Sequence, residues 1–325
     1  MRSRTITALL AVSASIVTSA QAKEIGMGVL MIWPTARSTA LAGAMTGLAD
    51  EADATFFNPA GLAFQTTAKA NLTYGNWLPG LYPGMYYASA AGGAPLRLPF
   101  LHGRNAFVAG SVTHMIVGET DIVDERGSYL GRFNVWRGAA GAYAAVPLTS
   151  TVGVGVGLKL ARSVHTTLDD DWMWKLEPAT DPEPAVTATA VSADVGVLCC
   201  PSRHVGFGVS VSNAGPKIHY RLDGSWNAGY AANLPSAARL GLCWTTIESR
   251  NIRLRVMPEL TKVLVGMFSD TTGKSFGRQL REEWKDVWKA VGIEATAFNV
   301  VSLRLGYFED LTNQRGGLVY EKQSG

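Results

Sequence analysis

From Val205 to Ser212 the chain reads Val-Gly-Phe-Gly-Val-Ser-Val-Ser, a strict alternation of bulky apolar residues with Gly and Ser. A period of two sends every bulky side chain to one face of a β-strand and every small one to the other. Four further segments follow the scheme. Val152, Val154, Val156, Leu158 and Leu160 stand against Gly153, Gly155, Gly157 and Lys159. Ala238, Leu240, Leu242 and Trp244 stand against Arg239, Gly241, Cys243 and Thr245. Ile252, Leu254, Val256 and Leu260 face away from Arg253, Arg255, Glu259 and Thr261, and Val301, Leu303, Leu305 and Tyr307 from Ser302, Arg304 and Gly306. A soluble sheet offers Lys, Glu and Thr to water on its outer face. Here the second face is small or carries isolated charges, which suits the crowded, wet lumen of a membrane barrel. The lumen charges expected on this reading are Arg239, Arg253, Arg255, Glu259 and Arg304.

Residues 1–22 have the form of a secretory signal. Arg2 and Arg4 precede an apolar run from Ile6 to Val17, and Ala20-Gln21-Ala22 is a small-x-small cleavage site. No later apolar run is long enough for a helical span, so any membrane crossing must use strands that pair all their backbone groups. Composition agrees: 35 glycines in 325 residues and 17% charged residues depart from the ~7% and ~25% usual in soluble chains, both in the direction a lipid-facing surface requires. A net charge of +3 with no basic cluster gives no basis for binding nucleic acid. Cys199, Cys200 and Cys243 read as small fillers rather than a disulfide framework.

Strands are expected near 68–77, 84–92, 105–117, 133–147, 150–162, 188–200, 204–213, 236–246, 251–262, 290–298, 301–309 and 317–321. Several connections are tight, such as Pro201-Ser202-Arg203. The alternate ones are long: Gly118 to Arg132, Ser163 to Thr187, Ala214 to Pro235 and Val263 to Val287. Outer-membrane barrels have short periplasmic turns and long outer loops. The fold class is therefore all-β, an antiparallel transmembrane β-barrel with about twelve strands visible. The last strand reads as cut short, with a closing hairpin missing. The expected organisation is a signal peptide at 1–22, a plug segment at 23–66 lying at the short-turn end, and the barrel at 67–325.

Two pieces look helical. Thr39 to Leu48 is small and apolar, a natural plug. Leu280 to Ala290 places Trp284, Val287 and Trp288 on one stripe; these tryptophans, with Trp172 and Trp174 in a long loop, form the candidate partner surface. No catalytic pattern appears. The five histidines lack metal spacing, no Gly-x-Ser-x-Gly elbow exists, and Gly153-Val-Gly155-Val-Gly157 lies inside a strand. Asp169-Asp170-Asp171 reads as a solvated acidic loop. The chain is expected to be no enzyme and to need no cofactor and no metal.

The stretch from Ala42-Gly43-Ala44-Met45-Thr46-Gly47-Leu48-Ala49-Asp50-Glu51 to Asn58-Pro59-Ala60-Gly61-Leu62-Ala63 resembles the N-terminal signature of PorV/PorQ-type outer-membrane proteins, a branch of the FadL-like barrels. Asn213-Ala214-Gly215-Pro216, Leu234-Pro235, Val291-Gly292-Ile293-Glu294 and Leu303-Arg304-Leu305-Gly306-Tyr307-Phe308 resemble it in the same order. The likeness departs at Ala40 and Ala42, where the family has glycines. It implies about fourteen strands in the bacterial outer membrane and a non-enzymatic role in the type IX secretion system. The implied partners are outer-membrane lipid, secreted cargo with a C-terminal sorting domain, and translocon and attachment-complex proteins. The alternative is a FadL-like channel for hydrophobic small molecules. From the residues themselves, Asn58, Pro59 and Gly61 make a rigid bend, and Asp50 and Glu51 are expected to pair with lumen arginines.

Overall fold

The computed structural model describes residues 25–80, 84–98, 105–123, 129–168, 186–221, 231–267 and 276–310. The expected signal peptide, the Asp169–Asp171 loop, Trp172, Trp174 and the strand at 317–321 lie outside the described residues.

Among the described residues thirteen antiparallel strands make one sheet. In chain order they are β1 (Lys69–Asn76), β2 (Tyr86–Arg97), β3 (Asn105–Val123), β4 (Tyr129–Pro147), β5 (Val152–Leu168), β6 (Val186–Ser202) and β7 (Val205–Ala214). After them come β8 (Ile218–Arg221), β9 (Ala231–Ala232), β10 (Ala237–Glu248), β11 (Ile252–Val263), β12 (Val287–Ala297) and β13 (Val301–Glu309). Sequence neighbours pair along the whole path, with β7 joined to β10 and the short β8 and β9 set aside on β6. The two short strands were not expected, being too brief to show a period. Among the described residues β1 and β13 end the path. Three helices complete the described elements: α1 (Ala36–Ala40), α2 (Ala54–Phe57) and α3 (Phe276–Lys285), with 3-10 turns at Gly28–Met31 and Pro59–Phe64. None is long and apolar enough to cross a membrane.

The alternation does what its period predicts. Leu158 is 64% exposed and Leu303 66%, while Ser210 is 2% exposed on the opposite face. Register carries the sorting across strands: Leu240 lies opposite Val209 and Gly241 opposite Gly208. The outer face is thus continuous and apolar, which water disfavours and lipid accepts. The inner face wraps the N-terminal segment, which touches β3 to β6 through the turn at Pro59–Phe64 and β13 through α1. Among the described residues all three cysteines are free.

The segment is not confined to the short-turn end, as its expected place had it. Ile25 bridges Asn233 and the Gly26 N–H donates to Asn233 O, beside a long connection. The Pro59–Phe64 turn instead packs near the short turns, where Leu62 and Ala63 meet Phe107 and Ala145. Residues 25–65 therefore run the length of the lumen.

Candidate functional site: the N-terminal segment and the wall it lies on

The small face of the wall is shaped by the backbone laid against it. A Cβ at Gly208 would stand 2.0 Å from Thr46 O, one at Gly155 2.3 Å from the Pro59 carbonyl carbon, and one at Gly206 2.4 Å from Gly47 O. On the far wall a Cβ at Gly306 would stand 2.5 Å from Ala42 N. The alternating glycines seat a peptide chain in these places rather than lining a wet lumen, so this part of the expectation is corrected.

Local chemistry sets the path of the segment. Thr35 caps α1: its Oγ1 accepts from the Ser38 N–H, and Ser38 Oγ accepts from the Thr35 N–H. The helix ends after five residues because Ala42 and Gly43 take φ of 54° and 75°. The apolar stretch Thr39 to Leu48 is thus turns more than helix. The Asn58-Pro59-Ala60-Gly61 bend is a rivet. Asn58 Oδ1 accepts from the Ala60 N–H, while its Nδ2 donates to Thr46 O at 3.1 Å and to Val197 O of β6 at 3.0 Å. Pro59 opens the turn, and a Cβ at Gly61 would meet Ala49 O at 2.1 Å.

Five charges bind the segment to the last long strands. Arg255, Glu294 and Arg304 lie in one register row across β11, β12 and β13. Arg37 grips Glu294 with two bonds of 2.9 Å and reaches Asp50 at 2.6 Å. Arg255 reaches Asp50 at 3.1 Å and Glu294 at 3.3 Å, and Arg304 donates to Glu294 at 2.7 Å. Fork-shaped guanidinium contacts of this kind are the strong form of ion pair. Burial alone would push the Arg37 guanidinium down, but its bonds to Glu294 and the Asp50 charge outweigh that and hold it above the ordinary arginine range.

The remaining expected residues separate. Asp50 meets Arg255 as expected, and also Arg37, which pattern reading missed because nothing in the sequence links positions 37 and 294. Glu51 pairs with Lys69 at 3.4 Å and not with a lumen arginine. Arg253 pairs with Glu248 at 3.8 Å, away from the segment. Arg239 is buried, donates to Ser212 Oγ at 2.6 Å and lies 5.2 Å from the Phe56 ring. Glu259 accepts from the Thr46 N–H at 2.8 Å. Lys159, read earlier as one of the small-face residues, is buried and bonds Asp194 at 2.8 Å and the Asn213 side chain.

Asp53 is the odd charge. It is 2% exposed, its Oδ2 accepts from Thr35 Oγ1 at 2.9 Å, and its Oδ1 is buried without a hydrogen-bond partner. Burial pushes its carboxyl up to about 6, against the lowering effect of Thr35 and Arg37. Asp53 lines a cavity of about 30 Å³ with Leu30, Ser111, Thr113, Tyr143 and Lys159.

Toward the long loops the lumen is apolar. Met27, Val29, Leu30 and Ile32 pack against Met85, Met115, Ile218 and Leu234. The tryptophans part company. Trp284 is 56% exposed on α3, but α3 stops at Lys285 and Trp288 is a buried residue of β12 facing Phe308. The expected common stripe fails because pairing of Val287–Trp288 with Lys262–Thr261 converts the chain to strand.

No family model matches the chain, and no curated protein matches it. Among solved structures it is similar to the Pseudomonas putida toluene transporter TodX, with 11% identity over 84% of this chain and 82% of that one, at a TM-score of 0.49. The Ralstonia pickettii toluene transporter TbuX gives 10% identity over 86% of each chain and a TM-score of 0.49. A Pseudomonas aeruginosa FadL homologue gives 11% identity over 89% and 82%, at 0.44.

Proposed function

We propose that this chain is an outer-membrane β-barrel, not an enzyme, that passes small hydrophobic molecules around a plug made by residues 25–66. The observation that supports it is the division of the lumen. Arg37, Arg255 and Arg304 are committed to the latch that holds the plug, and Arg239 to Ser212 and the Phe56 ring. Above them Met85, Met115 and Ile218 of the wall face Met27 and Leu30 of the plug. Methionine-rich apolar surfaces adapt to guests of varied shape, and apolar lining with few polar groups is the usual character of a small-molecule site. The test is uptake of a labelled aromatic hydrocarbon and a labelled fatty acid by cells with and without the gene. Uptake should fall on deletion, return with the wild-type chain, and stay low with Met85→Arg; unchanged uptake in the deletion strain overturns the reading.

A second reading is favoured by the five-charge latch, which holds the plug against the wall as a docking platform would need. In it the chain is a PorV-type component of type IX secretion that receives cargo by C-terminal sorting domains and hands it to the translocon and attachment complex. Deletion would then strand cargo in the periplasm and leave hydrocarbon uptake intact.

A further inference from the structure

The helix α3 stands apart from both the plug and the lumen. It is strapped to the outside of the wall by Lys262, which shares the outward face of β11 with Val256 and Leu260. Lys262 Nζ donates to Glu283 O at 3.0 Å, and pairs with the Glu283 carboxylate at 2.5 Å and Asp286 at 3.5 Å. That contact uses Glu283 of the helix and Asp286 just beyond its end. What remains outward is Leu280, 53% exposed, and Trp284, 56% exposed, four residues apart on one face, with exposed Arg281 and Lys285 beside them.

The apolar outer belt leads directly to this face. Val291 and Ile293 are exposed on β12, and Val291 pairs with the exposed Tyr307 of β13. One outward step toward the long connection is Lys289, paired with Glu309, and then the chain turns into α3. Apolar wall, tyrosine, lysine and then a Trp-bearing basic helix is the order of chemistries met on leaving hydrocarbon for a layer of charged headgroups.

We propose that α3 is an interfacial helix that binds the outer leaflet, with Leu280 and Trp284 entering its acyl boundary and Arg281, Lys285 and Lys289 taking anionic lipid phosphates. The proposal rests on the membrane-barrel reading but not on what the barrel conducts. The occupant is lipid because the helix face continues a surface that already faces lipid, and because the exposed charges beside Trp284, Arg281 and Lys285, are positive where leaflet phosphates are negative.

The test uses the full chain in phosphatidylcholine bilayers containing a minor fraction of brominated phosphatidylglycerol or brominated phosphatidylcholine, whose bromines quench nearby tryptophan. Subtracting the Trp284→Phe chain isolates Trp284, and subtracting Trp244→Phe isolates a tryptophan that is 54% exposed on the wall. Trp284 should be quenched, and roughly two- to fivefold more by the anionic lipid than by the neutral one. The Arg281→Gln/Lys285→Gln chain should lose that preference and keep the Trp244 signal. Quenching of Trp244 without Trp284 overturns the proposal and leaves the membrane reading standing. Quenching of neither overturns both. Equal quenching by the two lipids removes the role of the cations, and protection of Trp284 by a second copy or a soluble protein replaces lipid as the occupant.

Discussion

Asp53 shows how a single side chain can tie the plug to pH. One oxygen is held by Thr35 and the other faces a small cavity, so the neutral acid suits the site better than the carboxylate. With the folded value raised to about 6 from the ordinary 3.8, the folded state binds the proton more tightly than the unfolded chain. The stability this brings is complete below the unfolded value and is lost as pH rises through about 6. The melting temperature in detergent should fall across that window, by on the order of 3 kcal/mol in free energy. The Asp53→Asn chain should melt at a temperature that is flat there; equal slopes in the two chains would remove Asp53 as the cause. Glycine positions test the seat itself. Gly208→Ala forces a methyl onto Thr46 O and should cost about 1–3 kcal/mol. Gly110→Ala, whose nearest atom would be Gly141 O at 3.7 Å, should leave the melting temperature where it is.

The latch belongs to three strands and the plug, and its centre is Glu294. Replacing it with Gln leaves Arg37 and Arg255 sharing Asp50 and takes from Arg304 its carboxylate partner; losing one partner of a buried charge set costs about 3–5 kcal/mol. The barrel should remain folded while the plug loosens: trypsin should cleave at Arg37 faster than in the parent chain, and single channels in planar bilayers should open more often. Identical cleavage rates would mean that Asn58 alone holds the plug. At this scale sequence and structure part in instructive places. Eleven of the expected strands are present because alternation reports directly which face is buried. The stripe through Trp284 and Trp288 satisfied helical spacing equally well, and only the long-range partner β11 decided that Val287 begins a strand. Arg37, Asp50 and Glu294 lie far apart in the chain, so their meeting leaves no local pattern to read. The bend at Asn58 was legible as a rigid turn, but its bonds to Thr46 and Val197 were not.

For the molecule as a whole, the outer face sets the medium. Leu158 lies near the middle of a strand and points outward, so Leu158→Arg should cost about 2–4 kcal/mol of folding in a bilayer. Heat-modifiable mobility after reconstitution would read that loss, while the same substitution at Leu148, exposed in a short turn, should have little effect. The glycine rows carry a last consequence, one of assembly order. Gly155, Gly206, Gly208 and Gly241 have room for the plug's peptide groups and Gly196 for the Asn58 side chain, and for nothing larger, and Asn58 bonds to both plug and wall. A wall fitted this closely to its contents should not fill after it has closed: a barrel refolded from residues 67–325 should fail to take up the separate 25–66 peptide, and uptake that restores the parent melting temperature would mean that the wall can be finished first.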